Sequence, residues 1–586
     1  VGRLLVVGAG SILTSFLLCG LFVLFVGAGI LALLPDRALR QAAHWRGEML
    51  TALWGGIGAL ATVGAALRIE GGVSWCPVFG LDGPTLPMLV LLAFTGGMIS
   101  RGRRGMACVL TGLAFLALSP LVFGLLAGTA LVMLADRGRQ GVCLPVAVIP
   151  ACIPADSPLS PLLLCLMVLL LGWGVSSQKG PEAMLPAGIG LFLFGRLLAE
   201  EGILDPVQQT LLLLSGGAVA LGGCVQALRA PLAARVASGL ASAGFGALVV
   251  LLTLALGTNL EGMEQFRTAT LLGAGAPFLA LLALLWLCRG EDEANADAPF
   301  FSPHSLATAT PAGRVLLGMA VLMLSGLPPL GGFSVLWCLL TAGELAAVGA
   351  QPVQALCTIL VLVGAAGLMV LGVLGLLRLA LAALARQKMQ VAQQTPAPDG
   401  YGLLLLPAGV SLGAAVAVAV LPGGWLALMD HLFVGTAPRD FSWGTLLSVW
   451  FVDTTISFTP LFCVLALLVC VGMAITVGRV LGFYPFRQPQ AARAAWQEAG
   501  PMVALGDGVM ASSKTGPAVL WTVLLVFLGL EKQTSASWPL VEKTAAAGRS
   551  MRSMLFRTVG WCEAQGMVLI LLFLGAGLIL GLFTSK

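Results

Sequence analysis

Apolar stretches of membrane-span length follow one another along almost the whole chain, and they carry few charges. They run at about 4–34, 50–67, 86–100, 106–118, 121–135, 143–153, 161–177, 184–198, 207–228, 236–257, 269–288, 315–343, 353–381, 402–421, 456–481 and 565–583. A bilayer core needs roughly 20 consecutive apolar residues from a crossing helix. Closing backbone hydrogen bonds within each segment makes helices the natural solution in lipid. With 58% hydrophobic and 10% charged residues in 586, a soluble core has no room for this much apolar surface. The expectation is an all-α polytopic membrane protein. Val1–Leu34 reads as the first span, being too long for a signal peptide and lacking a small-residue cleavage site.

Charge asymmetry orients the spans. Alternate loops hold Arg37, Arg40 and Arg46, then Arg101, Arg103 and Arg104, Arg137 and Arg139, Lys179, Arg229 and Arg235, Arg386 and Lys388, and Arg487 and Arg493. Loops of the other parity are neutral or acidic, such as "EEGILDP" at 200–206. Basic loops stay cytoplasmic, so the N-terminus is expected outside, in a bacterial inner membrane. One apolar segment breaks the parity. "GPAVLWTVLLVFLGL" (516–530) has Lys514 before it and Lys532, Lys543, Arg549, Arg552 and Arg557 after it. Crossing would strand that basic stretch outside, so a lateral or re-entrant helix on the cytoplasmic side is expected. The organisation expected is N-terminal spans over 1–118, a core with broken helices over 119–421, and an extension over 422–586.

Within the span 315–343 stands "LSGLPPLGGFSVLW" (324–337), with Pro328 and Pro329 followed by Gly331 and Gly332. Each proline lacks a donor and clashes with the preceding turn, so this helix is expected to break near Leu327–Gly332. In a membrane such a break persists only inside protein or beside a polar cavity. Broken helices of this kind line transport sites or shape a bundle.

Other function classes drop out. The thirteen cysteines are scattered without any C-x-x-C, which leaves no paired thiolates for zinc, iron–sulfur or nickel–iron. They read as small buried residues. The net charge of +5 is spread among loops, with no basic, aromatic-rich domain for nucleic acid. Neither a nucleophile–base pair nor a metal-ligand constellation is present, so no catalytic residue is assigned.

"LSGLPPLGGFSVLW" resembles the A-L-P-P-L-x-G-F-x-x-E-W segment of the antiporter-like subunits of respiratory complex I, Mrp-type cation/proton antiporters and group 4 membrane-bound hydrogenases. "FRTATLLGAGA" (266–276) resembles that family's F-K-S-x-L-F-L-G-A-G, and "LGLLRLALAALARQK" (374–388) resembles its C-F-x-K-x-F-G-x-x-F-L-G-R helix. "ALRAPLAARVASGLASAGFG" (227–246) is similar to the segment leading through L-A-Y-S-S-I-x-x-x-G. "ARAAWQEAGPMVALGDGVMASSKTGPAVLW" (492–521) and "MLFRTVGWCEAQGMVLILLF" (554–573) resemble the tail of the large antiporter-like subunit of formate hydrogenlyase-type hydrogenases. The resemblance implies about fourteen core helices, two of them discontinuous, plus appended helices, about sixteen spans in all. It also implies partner membrane-arm subunits and a peripheral redox arm holding the cofactors: iron–sulfur clusters with nickel–iron or flavin.

In that family a polar axis of glutamate, lysine and histidine carries protons at mid-membrane. Such a wire needs groups that titrate, which arginine does not. All six lysines (Lys179, Lys388, Lys514, Lys532, Lys543, Lys586) and the histidines His44, His304 and His431 fall in loops or at ends. By the resemblance, the acid of the fifth helix falls within "LVFGLLAGTALVML" (121–134), which has none. The next broken helix places its lysine near Leu191–Phe192, with Arg196 about a turn away. Arg267 and Arg378 replace two further lysines, and Leu336 replaces the glutamate. The arginines hold fixed charge inside the bundle or snorkel toward the interface. Glu182 and Glu344 form an altered route in one reading; in the other they are interfacial residues at span ends. The function expected is a scaffold or modified translocation subunit of a hydrogenase-like or complex I-like assembly, with a degenerate proton path. The alternative is a free-standing secondary transporter, which needs a midplane coupling residue that this inventory lacks.

Overall fold

The computed structural model describes residues 2–33, 43–66, 73–76, 79–81, 85–99, 102–135, 144–149, 160–178, 180–199, 206–230, 232–256, 263–289, 310–326, 330–348, 364, 371–373, 375–376, 379–380, 401–434, 443–450, 457–460, 469 and 473. The first helices are α1 (Gly2–Leu33), α2 (Ala43–Ala66), α3 (Thr85–Ile99), α4 (Gly102–Phe115) and α5 (Pro120–Leu134). They are followed by α6 (Ser160–Ser177), a 3-10 turn at Pro181–Ala183, α7 (Met184–Ala199), α8 (Pro206–Arg229) and α9 (Ala233–Ala255). Then come α10 (Met263–Ala274), α11 (Ala276–Leu287), α12 (Pro311–Leu324), α13 (Gly331–Val348), α14 (Tyr401–Val420), α15 (Pro422–Val434) and α16 (Trp443–Leu447).

The described part is a helical integral membrane protein. Four segments are long and apolar enough to cross a bilayer: Phe16–Leu33, Val207–Arg229, Ala233–Ala255 and Gln265–Leu287. A fifth is added if α14 and α15, bent by 95° at Leu421–Pro422, count as one span. Four of the apolar stretches read from sequence coincide with these segments. Two short antiparallel strand pairs interrupt the all-α expectation, Val73–Cys76 with Phe79–Leu81 and Val449–Trp450 with Ser457–Phe458. The stretch at 143–153 is described only over 144–149, where Leu144 is buried. The segment 516–530 lies outside the described residues.

Packing follows residue size. Between α8 and α9 the glycines Gly216, Gly223, Gly239 and Gly246 bring the two backbones together. A Cβ at Gly246 would lie 2.5 Å from Ala220 N and 2.6 Å from Gly216 O, so no side chain fits there. Small residues let apolar helices approach closely where the hydrophobic effect between them is weak. Elsewhere larger groups fill the core: Phe25 meets Trp54 edge-on at 5.8 Å, and Phe192 sits 4.8 Å from Phe115 and 5.4 Å from Phe123.

The basic helix ends gather at one end of the bundle. Arg103 at the start of α4 donates to Val132 O at the end of α5 (3.3 Å). Gln178, just past α6, donates to Leu134 O (3.3 Å), and Gln226 near the end of α8 donates to Ser176 O (2.8 Å). Ser238 near the start of α9 also donates to Ser176 O (3.3 Å). Arg289, just past α11, lies over the Trp286 ring at 5.7 Å. A Cβ at Gly180 would lie 3.7 Å from Arg289 Cγ, which places the end of α11 at this same end. The alternation of basic and neutral loops in the sequence thus has a geometric counterpart among the described helices.

Candidate functional site

Two interrupted helices cross at the centre of the described bundle. In the first, α10 gives way to α11 at Gly275. Its N–H turns to Leu272 O (3.1 Å) rather than to Leu271 O, four residues back. Pro277 removes the donor that Gly273 O would use. The orphaned Leu271 carbonyl accepts instead from the Trp425 indole of α15 at 2.8 Å. A buried carbonyl left unpaired is costly, so this side chain completes the interruption.

The second interruption lies between α12 and α13. The helix ends at Leu324, Ser325 caps it, and Gly326 adopts the left-handed conformation (φ 73°) that often follows a helix C-terminus. A new helix starts at Gly331, so the helix is discontinuous where the sequence expects it. Pro328 and Pro329 themselves lie outside the described residues. Thr310 caps the other end of α12, accepting from Gly313 N at 3.0 Å. The helix α13 packs on α10, and α12 packs on α11, so the interruptions meet. Gly331 and Gly332 are buried there, and any side chain on Gly331 would run into Ala276.

Beside this crossing lies a cavity of about 390 Å³. Its walls come from α8 (Leu213, Gly217, Ala220, Cys224), α9, both interruptions (Gly273, Pro277, Leu324, Gly332) and α13 (Val335, Leu336, Leu339). Among the described lining residues none carries a charge, an amide or a hydroxyl, and Cys224 supplies the one thiol. Leu336 faces this space.

Charge sits elsewhere. Glu182, in the turn between α6 and α7, is paired with Arg104 of α4 at 3.0 Å. The carboxylate side chain is 3% exposed and its partner 52%. Glu182 is at a helix end, as the sequence indicates, but α4 and the surrounding turn enclose it. The Gly180 position makes room, since a Cβ there would lie 2.5 Å from Glu182 Oε2. Arg267 is half-buried on α10. Arg196 lies on α7 and Glu344 on α13, with their side chains outside what is described, and Arg378 lies outside the described residues. Glu182 belongs to the basic end, whereas the crossing is apolar. Among the described residues no group of His, Cys, Asp and Glu is arranged to hold a metal.

Sequence reading took 269–288 as one span, which the structure keeps as the crossing segment Gln265–Leu287, but did not foresee the turn at Gly275 within it. Its local signal is the run Gly273, Gly275 and Pro277. It also missed Arg104 and Trp425, whose partners lie 78 and 154 residues away.

No protein-family model and no curated protein sequence matches the chain. Solved structures do. A chain of respiratory complex I from Thermus thermophilus with bound aureothin is similar at TM-score 0.47 and 19% identity, over 70% of this chain and 99% of that one. Respiratory complex I from Thermus thermophilus with bound NADH gives 0.46 and 16%, over 72% and 98%. A chain of the membrane-bound sulfane sulfur reductase (MBS), an archaeal respiratory membrane complex, is similar at TM-score 0.53 and 14% identity, over 92% of this chain and 99% of that one. At that identity the likeness shows a shared fold: this chain is built on the fold of a chain of an archaeal respiratory membrane complex.

Proposed function

We propose that this chain is a non-catalytic membrane-arm subunit of a complex I-like or group 4 hydrogenase-like respiratory complex, of the formate hydrogenlyase type. In this reading it is a scaffold or modified translocation module whose central proton path has degenerated. It sits in a bacterial inner membrane with its basic helix ends toward the cytoplasm. Redox cofactors belong to a peripheral arm of partner chains.

One observation carries the degenerate path. The space at the crossing of the two interrupted helices is lined, among the described residues, by apolar side chains and a thiol, with Leu336 among them. A proton wire needs titratable groups or ordered water, and ordered water needs two to four polar partners. The shared fold supports the membrane-arm reading.

The test has two parts. Purification from native membranes should recover redox subunits with the chain; recovery alone would overturn the subunit reading. In the recovered complex Arg267→Gln should impair assembly or stability, because Arg267 is half-buried within α10. The ratio of protons moved to electrons transferred should stay unchanged in whatever complex assembles. A fall in that ratio with normal assembly and electron transfer would mean that this chain conducts protons.

A further inference from the structure

The cavity at the helix crossing is too large and too dry to be left as packing noise. Protein interiors are close-packed, with few voids larger than a water molecule. An apolar cavity of about 150 Å³ already takes up a benzene-sized guest and stays free of water. This one, at about 390 Å³, falls within the size range of small-molecule sites. Water is a poor occupant, because among the described lining side chains only the Cys224 thiol is polar, which leaves a water few partners besides backbone groups at the interruptions.

The cavity opens onto the surface of the protein. Gly364 on its wall is exposed and Gly217 is half-buried, and a Cβ at either position would meet nothing within 4 Å. Next to the lining residues Leu213 and Leu339 stand Leu214 and Leu340, exposed at 66% and 53%. Exposed apolar residues of α8 and α13 thus stand next to lining residues in the chain, a surface suited to contact with acyl chains.

We propose that an acyl chain of a membrane phospholipid enters through this mouth and fills the cavity between α8, α9 and the interrupted helices. It seals the crossing with hydrocarbon where a polar axis would need water. The inference rests on the chain lying in a bilayer, not on which complex it serves.

The experiment places the whole protein in nanodiscs of phosphatidylethanolamine and phosphatidylglycerol that carry a photoreactive diazirine midway along one acyl chain. Adducts are mapped by mass spectrometry. Adducts are expected on lining peptides containing Ala243–Leu254 and Val335–Leu339, besides those on the exposed Leu121 and Leu125 of α5. Gly217→Leu should cut the lining adducts several-fold and leave the α5 adducts unchanged; Gly372→Leu, another open position on the wall, should do the same. Three results would overturn the proposal. One is lining adducts that are absent or indifferent to both substitutions. Another is displacement of the lipid by a photoreactive isoprenoid quinone that labels the same peptides. The third is cross-linking of engineered cysteines that places residues 349–363 of this chain inside the cavity.

Discussion

The Trp425 indole donates to the carbonyl of Leu271 at 2.8 Å, joining α15 to a carbonyl that the turn at Gly275 releases from its helix. The bond spans 154 residues and ties the sharp bend at Leu421–Pro422 to the interruption between α10 and α11. Removing only the donor should expose its value. Trp425→Phe keeps an aromatic ring but leaves Leu271 O unpaired, and is expected to cost about 1–3 kcal/mol. A denaturation series in detergent, with Trp54→Phe as comparison, checks this. The Trp54 nitrogen is buried without a partner, so losing it should cost less.

The pairing of Arg104 with Glu182 should respond asymmetrically. Arg104→Gln strands a carboxylate that is 3% exposed, whereas Glu182→Gln leaves an arginine 52% exposed, free to rehydrate. Arg104→Gln should therefore destabilise by about 1–3 kcal/mol, below the figure for a fully buried pair, and Glu182→Gln by less. A double-mutant cycle measures the coupling. Equal single effects would show that burial of the carboxylate does not set the balance.

At the crossing of the interrupted helices, space decides. Gly331→Ala places a methyl group against Ala276 and is expected to cost about 1–3 kcal/mol through overpacking. Ala276→Gly in the same chain should recover most of that loss, although it adds a helix glycine. Thermal unfolding of the two single variants and the double variant tests the compensation, which a purely conformational effect of Gly331 would not produce.

The charges around 516–530 predict one side for both flanks. Single cysteines at Gln490 and Ser550, both outside the described residues, should be labelled from the same, cytoplasmic, face by a membrane-impermeant thiol reagent. Labelling from opposite faces would mean that 516–530 spans.

The sequence by itself determined the membrane class, the helical content, several span positions and the discontinuity near Leu327–Gly332. Those properties are local: an apolar run of sufficient length must be a helix in lipid, and a proline pair must interrupt it. It also placed basic residues at alternating loops, which the structure gathers at one end through Arg103, Gln178 and Gln226. Only the tertiary structure decided that Glu182 is enclosed at its helix end, since its environment is made by Arg104 on a distant helix. It alone showed that the interruptions at Gly275 and Gly331 meet, that Trp425 satisfies one of them, and that Leu336 faces an apolar cavity. Burial and hydrogen-bond satisfaction depend on which segments become neighbours, and no local pattern in the chain encodes that.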